Sequence, residues 1–270
     1  QHAKRCVETF LKHWPRSIPL LQYTDEHLEA LSSWLLAFKA RHKSKPTQDY
    51  RMDAVRFAHK VAAIELAVHW AQSQGADVLV WMDADCVTHA KVDARWLAGL
   101  LRDGDFAYLR RTMKYPEMGF ALFRLNDRGR AFIGAIVRQY RDDKLFDMAE
   151  WHDSYVIDQV RAQREAIGML RTVSLSGAGE GTHHPLINGP LGERLDHLKG
   201  PRKGAGKSNA RDLKVRRPEP YWAGMNDAAA QLERMKRMRQ EMRERRAARQ
   251  AAARKEREEK PRSSAAPALG

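Results

Sequence analysis

The stretch DVLVWMDADCVTH, residues 77–89, sets five large apolar residues, Val78 to Met82, directly against two acids, Asp83 and Asp85. The apolar run is continuous rather than alternating. It therefore reads as a strand covered on both faces, as in a parallel α/β sheet. In open sheets of that kind, ligands sit beyond the carboxyl ends of the strands. Asp83 and Asp85 stand at such an end. Two carboxylates at i and i+2 of an extended chain point the same way, so both can approach one hard divalent cation, Mg²⁺ or Mn²⁺. The plain alternative is that Asp-x-Asp only starts a turn.

Upstream of this strand, residues 50–74 carry the longest helical pattern, with Gly75 as its stop. Residues 24–42 are also helical, with Thr24 as N-cap. Residues 17–23 read as a short strand, and 2–13 as a helix ending at Trp14-Pro15. Downstream, helices are expected at 93–101, 127–142 and 153–166, and strands at 105–110, 118–126 and 169–175. This alternation makes the body α/β, with a largely parallel central sheet flanked by helices. Residues 176–217 are rich in Gly, Pro, His and Lys and lack periodicity, which reads as a long loop of functional or disordered character. From Asp227, Ala, Arg, Glu and Gln surround a stripe of Leu232, Met235, Met238 and Met242, the pattern of a basic C-terminal helix reaching about residue 259. The chain thus divides into a body (1–220), a basic helical extension (221–260) and a disordered tail (261–270).

At 270 residues the chain can bury one sizeable core. Its formal charge of +14 is concentrated at one end: residues 199–270 hold 21 Lys and Arg against 9 Asp and Glu. The rest of the chain is nearly neutral, which weakens a whole-surface nucleic-acid reading. No run approaches the roughly 18 apolar residues of a membrane span. The opening QHAKRCVETF has neither a long apolar segment nor a cleavage site. Two cysteines, Cys6 and Cys86, are too few for a disulfide framework or a cysteine-built zinc site. A cytoplasmic, reducing compartment is the expectation.

A second chemical signal lies in HLKGPRK, residues 197–203. Neutral imidazole suits Mn²⁺, glycine lets backbone approach a diphosphate, and lysine supplies a point charge for phosphate oxygens. The D-x-D at a strand end followed by H-x-x-G-x-x-K resembles the glycosyltransferases of the GT-A fold, especially the glycogenin-like retaining family. That resemblance covers about residues 3–208. It implies Asp83, Asp85 and His197 as metal ligands, with Gly200 and Lys203 on the diphosphate of a nucleotide sugar. The family's motif ends in Pro-Trp, whereas this chain continues GAGKS. Domains of this kind open with a strand whose end binds the base. The present chain opens in what reads as the helix after it, so the sheet is expected to lack that first strand.

EWHDSYVID (150–158) is similar to the W-H-D-E-S segment of blood-group-type galactosyl- and N-acetylgalactosaminyltransferases. The similarity implies donor contacts at His152 and Asp153, but Ser154 stands where that family has its proposed glutamate nucleophile. Asp153 is the candidate catalytic group, stabilising an oxocarbenium-like transition state or orienting sugar hydroxyls. As a local alternative, it would cap the following helix. Arg56 and Lys60, four apart on one helix face, could reach the donor phosphates or hold the aspartates in place. Within YPEMGFALFRLN (115–126), Glu117 and Gly119 are candidate donor contacts by the same resemblance.

The expected function is a Mn²⁺- or Mg²⁺-dependent transfer of a sugar from a nucleotide-diphosphate donor, with retention of configuration. Two other readings stand beside it. One is a nucleotidyl or phosphoryl transferase using two metals. The other is binding of nucleic acid or an anionic membrane surface by the basic C-terminal helix.

Overall fold

A computed structural model describes residues 2–42, 49–112, 114–225, 237–238, 240–244 and 248. It is mixed α/β. A four-stranded sheet has the order β1 (Val78–Met82), β4 (Glu117–Arg124), β3 (Phe106–Leu109), β5 (Thr172–Ser174). Alternation along the strands sorts side chains to its two faces. Leu79, Trp81, Phe106, Tyr108, Ala121 and Phe123 join one apolar cluster; Val78, Val80, Ala107, Leu109, Phe120 and Leu122 join the other. Helices α2 (Asp25–Leu31), α3 (Ser33–His42), α4 (Ala54–Ser73), α6 (Asp127–Arg141) and α7 (Asp153–Ala166) cover the first face. The second is covered by α1 (His2–His13) and α5 (Ala94–Leu101), with a small two-stranded sheet of β2 (Cys86–Thr88) and β6 (Leu195–His197) and the short α8 (Pro185–Asn188).

The apolar run at 78–82 is thus covered on both faces, but the sheet is not largely parallel. β4 runs antiparallel to both β1 and β3, and only β3 and β5 pair in parallel. A continuous apolar strand reports covered faces, not direction. The link between β3 and β4, residues 110–116, is shorter than the dozen or more residues a parallel crossover needs.

Helix starts follow their caps. Asp53, Asp93 and Asn126 accept from the backbone N–H of Arg56, Trp96 and Gly129. The expected helix 24–42 is instead two helices, broken where Ser32 turns extended. Residues 17–23 form no strand; Pro19 has no N–H to give a ladder, and Ile18 and Leu20 simply lean on the second cluster. Residues 176–217 are not an open loop. Leu186, Ile187, Leu191, Leu195 and Leu198 in it are almost fully buried, and the small sheet and α8 are built from it. Among the described residues no helix is long and apolar enough to cross a membrane. The expected basic helix at 227–259 lies mostly outside the described residues, of which 237–238, 240–244 and 248 are helical. The expected tail at 261–270 lies wholly outside them.

Candidate active site

The acidic pair sits in the connection between the two sheets. Asp83 N donates to Gly119 O at 2.9 Å, which ends β1 against β4. Cys86 N then donates back to Asp83 O at 2.9 Å, closing a four-residue turn before β2 begins. The turn corrects the expectation that both carboxylates point one way. An i, i+2 pair shares a face only in extended chain, and here the backbone reverses between them.

Each acid consequently has its own partners. Asp83 Oδ1 accepts from Lys60 Nζ at 2.9 Å and from Trp81 Nε1 at 2.8 Å. Asp85 has a different set of partners. Its Oδ1 lies 2.9 Å from His197 Nε2, and its Oδ2 lies 3.1 Å from Lys203 Nζ. This junction joins positions 112 apart in the sequence and is made by strand pairing: Cys86 is directly opposite His197 in the β2–β6 ladder, and Leu198 N donates to Asp85 O at 2.9 Å.

β4 completes the setting of His197. Glu117 Oε1 is 2.7 Å from His197 Nδ1, while Gly119 leaves room for the ring. A Cβ on Gly119 would stand 2.2 Å from His197 Cε1. Glycine is used here because an imidazole occupies the space. The register irregularity between β3 and β4 falls at this point, pairing Leu109 with Glu117 directly after Tyr108 with Ala121.

The imidazole is almost completely buried between two carboxylates. Burial alone would lower its pKa, but hydrogen bonds to Asp85 and Glu117 outweigh that and raise it to about 9. Burial likewise opposes ionisation of Asp85 and Glu117, and His197 with the nearby lysines overrides it, holding both carboxyls below their usual range. Without a metal the cluster is therefore a cation set between two anions.

The donor atoms of Asp85, Cys86 and His197 lie close enough together to hold an ion; Asp83, on Lys60, is not among them. The Cys86 thiol donates to Gly119 O, and burial and then Asp83 push its pKa well above normal. Asp85 and His197 offer an oxygen and a nitrogen, donors that suit a hard or borderline divalent ion, whereas the Cys86 sulfur suits a softer one.

Beside this cluster opens a cleft of about 390 Å³, lined by Arg56, Lys60, Asp83, Glu117, Gly119, His152, Asp153 and Ser154 among others. Seven of the residues singled out from sequence thus meet at one concavity. Lys60 is the link. Its Nζ lies 2.7 Å from Asp153 Oδ2 and donates to Met118 O at 2.7 Å, besides its bond to Asp83. Burial disfavours its charge, yet Asp153 and Asp83 together raise its pKa, so the ammonium stays protonated. Of the two roles open to Lys60, holding the aspartates is the one realised. Arg56 lies over the Phe57 ring at 5.6 Å and turns to the cleft.

At α7 the cap is His152, not Asp153. His152 Nδ1 accepts from Tyr155 N at 3.3 Å and Nε2 donates to Glu150 at 2.8 Å. Both ring nitrogens are used internally, and the ring lines the cleft. Asp153 is thereby released from capping and given to Lys60.

Gly200 takes a left-handed φ of +56° in the turn after β6, and Lys203 N donates to Gly200 O at 3.0 Å. The glycine sets the turn that brings Lys203 back to Asp85. Sequence reading missed Lys199, 3.1 Å from Glu117, and the rim residues Tyr50, Arg111, Lys114 and Tyr115. Lys199 falls at an unspecified position of H-x-x-G-x-x-K, and no motif singles out the side chains of the others. It also missed β2 and β6, whose three residues each are too few to show a period.

Neither a protein-family model nor a curated protein sequence matches this chain.

Proposed function

We propose that this chain is a divalent-metal-dependent glycosyltransferase that moves a sugar from a nucleotide-diphosphate donor to an acceptor, in the manner of the GT-A enzymes its motifs resemble. The observation that carries the reading is the 2.9 Å approach of His197 Nε2 to Asp85, with Lys203 on the other carboxylate oxygen. All three belong to the two motifs behind the resemblance, and 112 residues separate the first two.

Asp85 and His197 would hold Mn²⁺ or Mg²⁺, which when bound supplies Lewis-acid neutralisation of a departing diphosphate. Lys203 then exchanges Asp85 for phosphate oxygens, and its charge gains value as the leaving group becomes more negative. Arg56, Arg111 and Lys114 line the cleft as further phosphate-facing cations. Asp83 contributes by position. It fixes Lys60, and through Lys60 the carboxylate of Asp153. Asp153 then faces the sugar, where a held negative charge stabilises positive charge developing at the anomeric carbon. Ser154 also lines the cleft, and its hydroxyl cannot replace a carboxylate nucleophile. Retention is proposed on the two resemblances, and NMR of the product anomer decides it.

The rival two-metal phosphoryl chemistry needs converging carboxylates. Here Asp83 and Asp153 are both bound by the Lys60 ammonium, and Asp85 by His197 and Lys203, which favours the single-ion reading. Because residues 185–198 are packed into the core, any closing movement over the donor falls to the short stretch around 199–207. The deciding experiment is turnover of a panel of nucleotide sugars with Mn²⁺, wild type against Asp85→Ala. Metal-dependent turnover lost in the variant supports the reading; no binding or turnover of any donor overturns it.

A further inference from the structure

We infer that Glu117 is a positioning residue for the metal ligand His197, holding the imidazole so that Nε2 presents its lone pair to the site shared with Asp85. The inference rests on the metal role proposed for His197 and deepens it.

An imidazole ligates through one nitrogen, and the hydrogen bond made by the other decides which. In this chain the two nitrogens have separate carboxylates. Nδ1 is 2.7 Å from Glu117 Oε1, and Nε2 is 2.9 Å from Asp85 Oδ1. They differ in accessibility. Asp85 keeps 17% of its side-chain surface exposed and also carries Lys203, whereas the Glu117 side chain is wholly buried. An incoming ion would therefore arrive on the Asp85 side, leaving Nδ1–H on Glu117. No competing structural role draws Glu117 away. Its Oε2 has no hydrogen-bond partner among the described residues, and Oε1 serves only His197 and Lys199. A buried carboxylate with one oxygen unused is costly to keep, so its retention on the imidazole is a functional arrangement rather than a packing convenience. Gly119, two residues on in the same strand, admits the ring, so β4 supplies both its seat and its orientation.

The test uses the full chain and Mn²⁺ alone, with affinity measured by water-proton relaxation for wild type, Glu117→Ala and Glu117→Gln. Glu117→Ala should weaken Mn²⁺ roughly 10–100-fold. Glu117→Gln keeps an acceptor oxygen for Nδ1–H and should recover most of that loss. ¹⁵N-histidine spectra with diamagnetic Mg²⁺ should show His197 protonated at Nδ1 in wild type and Glu117→Gln. Wild-type affinity in Glu117→Ala overturns the inference while sparing the metal site. Should Glu117→Ala fail to fold, a Glu117→Gln chain that folds yet binds no better than His197→Ala overturns it equally. Absence of Mn²⁺ binding in the wild type overturns both the inference and the metal reading beneath it.

Discussion

Lys60 Nζ lies 2.7 Å from the carboxylate of Asp153, and both side chains are nearly buried. One ammonium therefore holds the acid of the second motif beside Asp83 of the first. Removing it leaves two carboxylates facing each other without a counter-charge. Breaking a buried pair from one side costs about 3–5 kcal/mol. Lys60→Met is expected to lower stability by an amount in that range, read from urea unfolding. A loss below about 1 kcal/mol, the scale of a surface ion pair, would show that the contact is solvated.

Asp153→Asn keeps the shape of the side chain and removes its charge. Transfer or donor hydrolysis is expected to fall by about 10²–10³-fold in kcat, the scale of losing one preorganised electrostatic group. KM for the donor should change little, since the diphosphate is held elsewhere. A KM effect with unchanged kcat would assign Asp153 to ground-state binding.

Gly119→Ala places a methyl group where the His197 ring now lies. Overpacking of this kind costs about 1–3 kcal/mol. Mn²⁺ affinity should drop with it, because the displaced ring is the proposed ligand. The melting temperature and the Mn²⁺ dissociation constant, measured on the same preparation, check both effects.

His89 provides a pH signature away from the metal cluster. Its ring stacks on Tyr221 with centroids 4.0 Å apart. Burial lowers its pKa to about 4, against a raising pull from the Gly192 carbonyl and Asp196. The unfolded chain binds the proton near pH 6.5. Between those values the unfolded state carries more protons, so stability falls as pH drops from about 6.5 toward 4. In His89→Phe, which keeps the stack, the loss of unfolding free energy from pH 7 to pH 5 should be smaller than in wild type. Equal pH dependence in the two proteins would remove His89 from the account.

Much of the frame was legible because its signals are local. Thr24 marks a helix start, and the run 78–82 marks a strand with two covered faces. Strand direction was not legible, since it depends on how short the β3–β4 connection is rather than on what the strand contains. Individual site residues were found by motif, but their partnerships were not. The turn closed by Cys86 N on Asp83 O comes with separate partners for the two acids, and nothing in D-A-D announces it. Likewise the exchange of roles at α7, with His152 capping and Asp153 paired to a lysine 93 positions earlier, depends on tertiary contact.

Equilibrium dialysis of Mn²⁺ against the full chain, with a nucleoside diphosphate present, tests the Asp85–His197 site most directly. One saturable Mn²⁺ per chain is expected, lost in Asp85→Ala and in His197→Ala while both variants remain folded. Two ions per chain, or one ion that persists when His197 is removed, would contradict it.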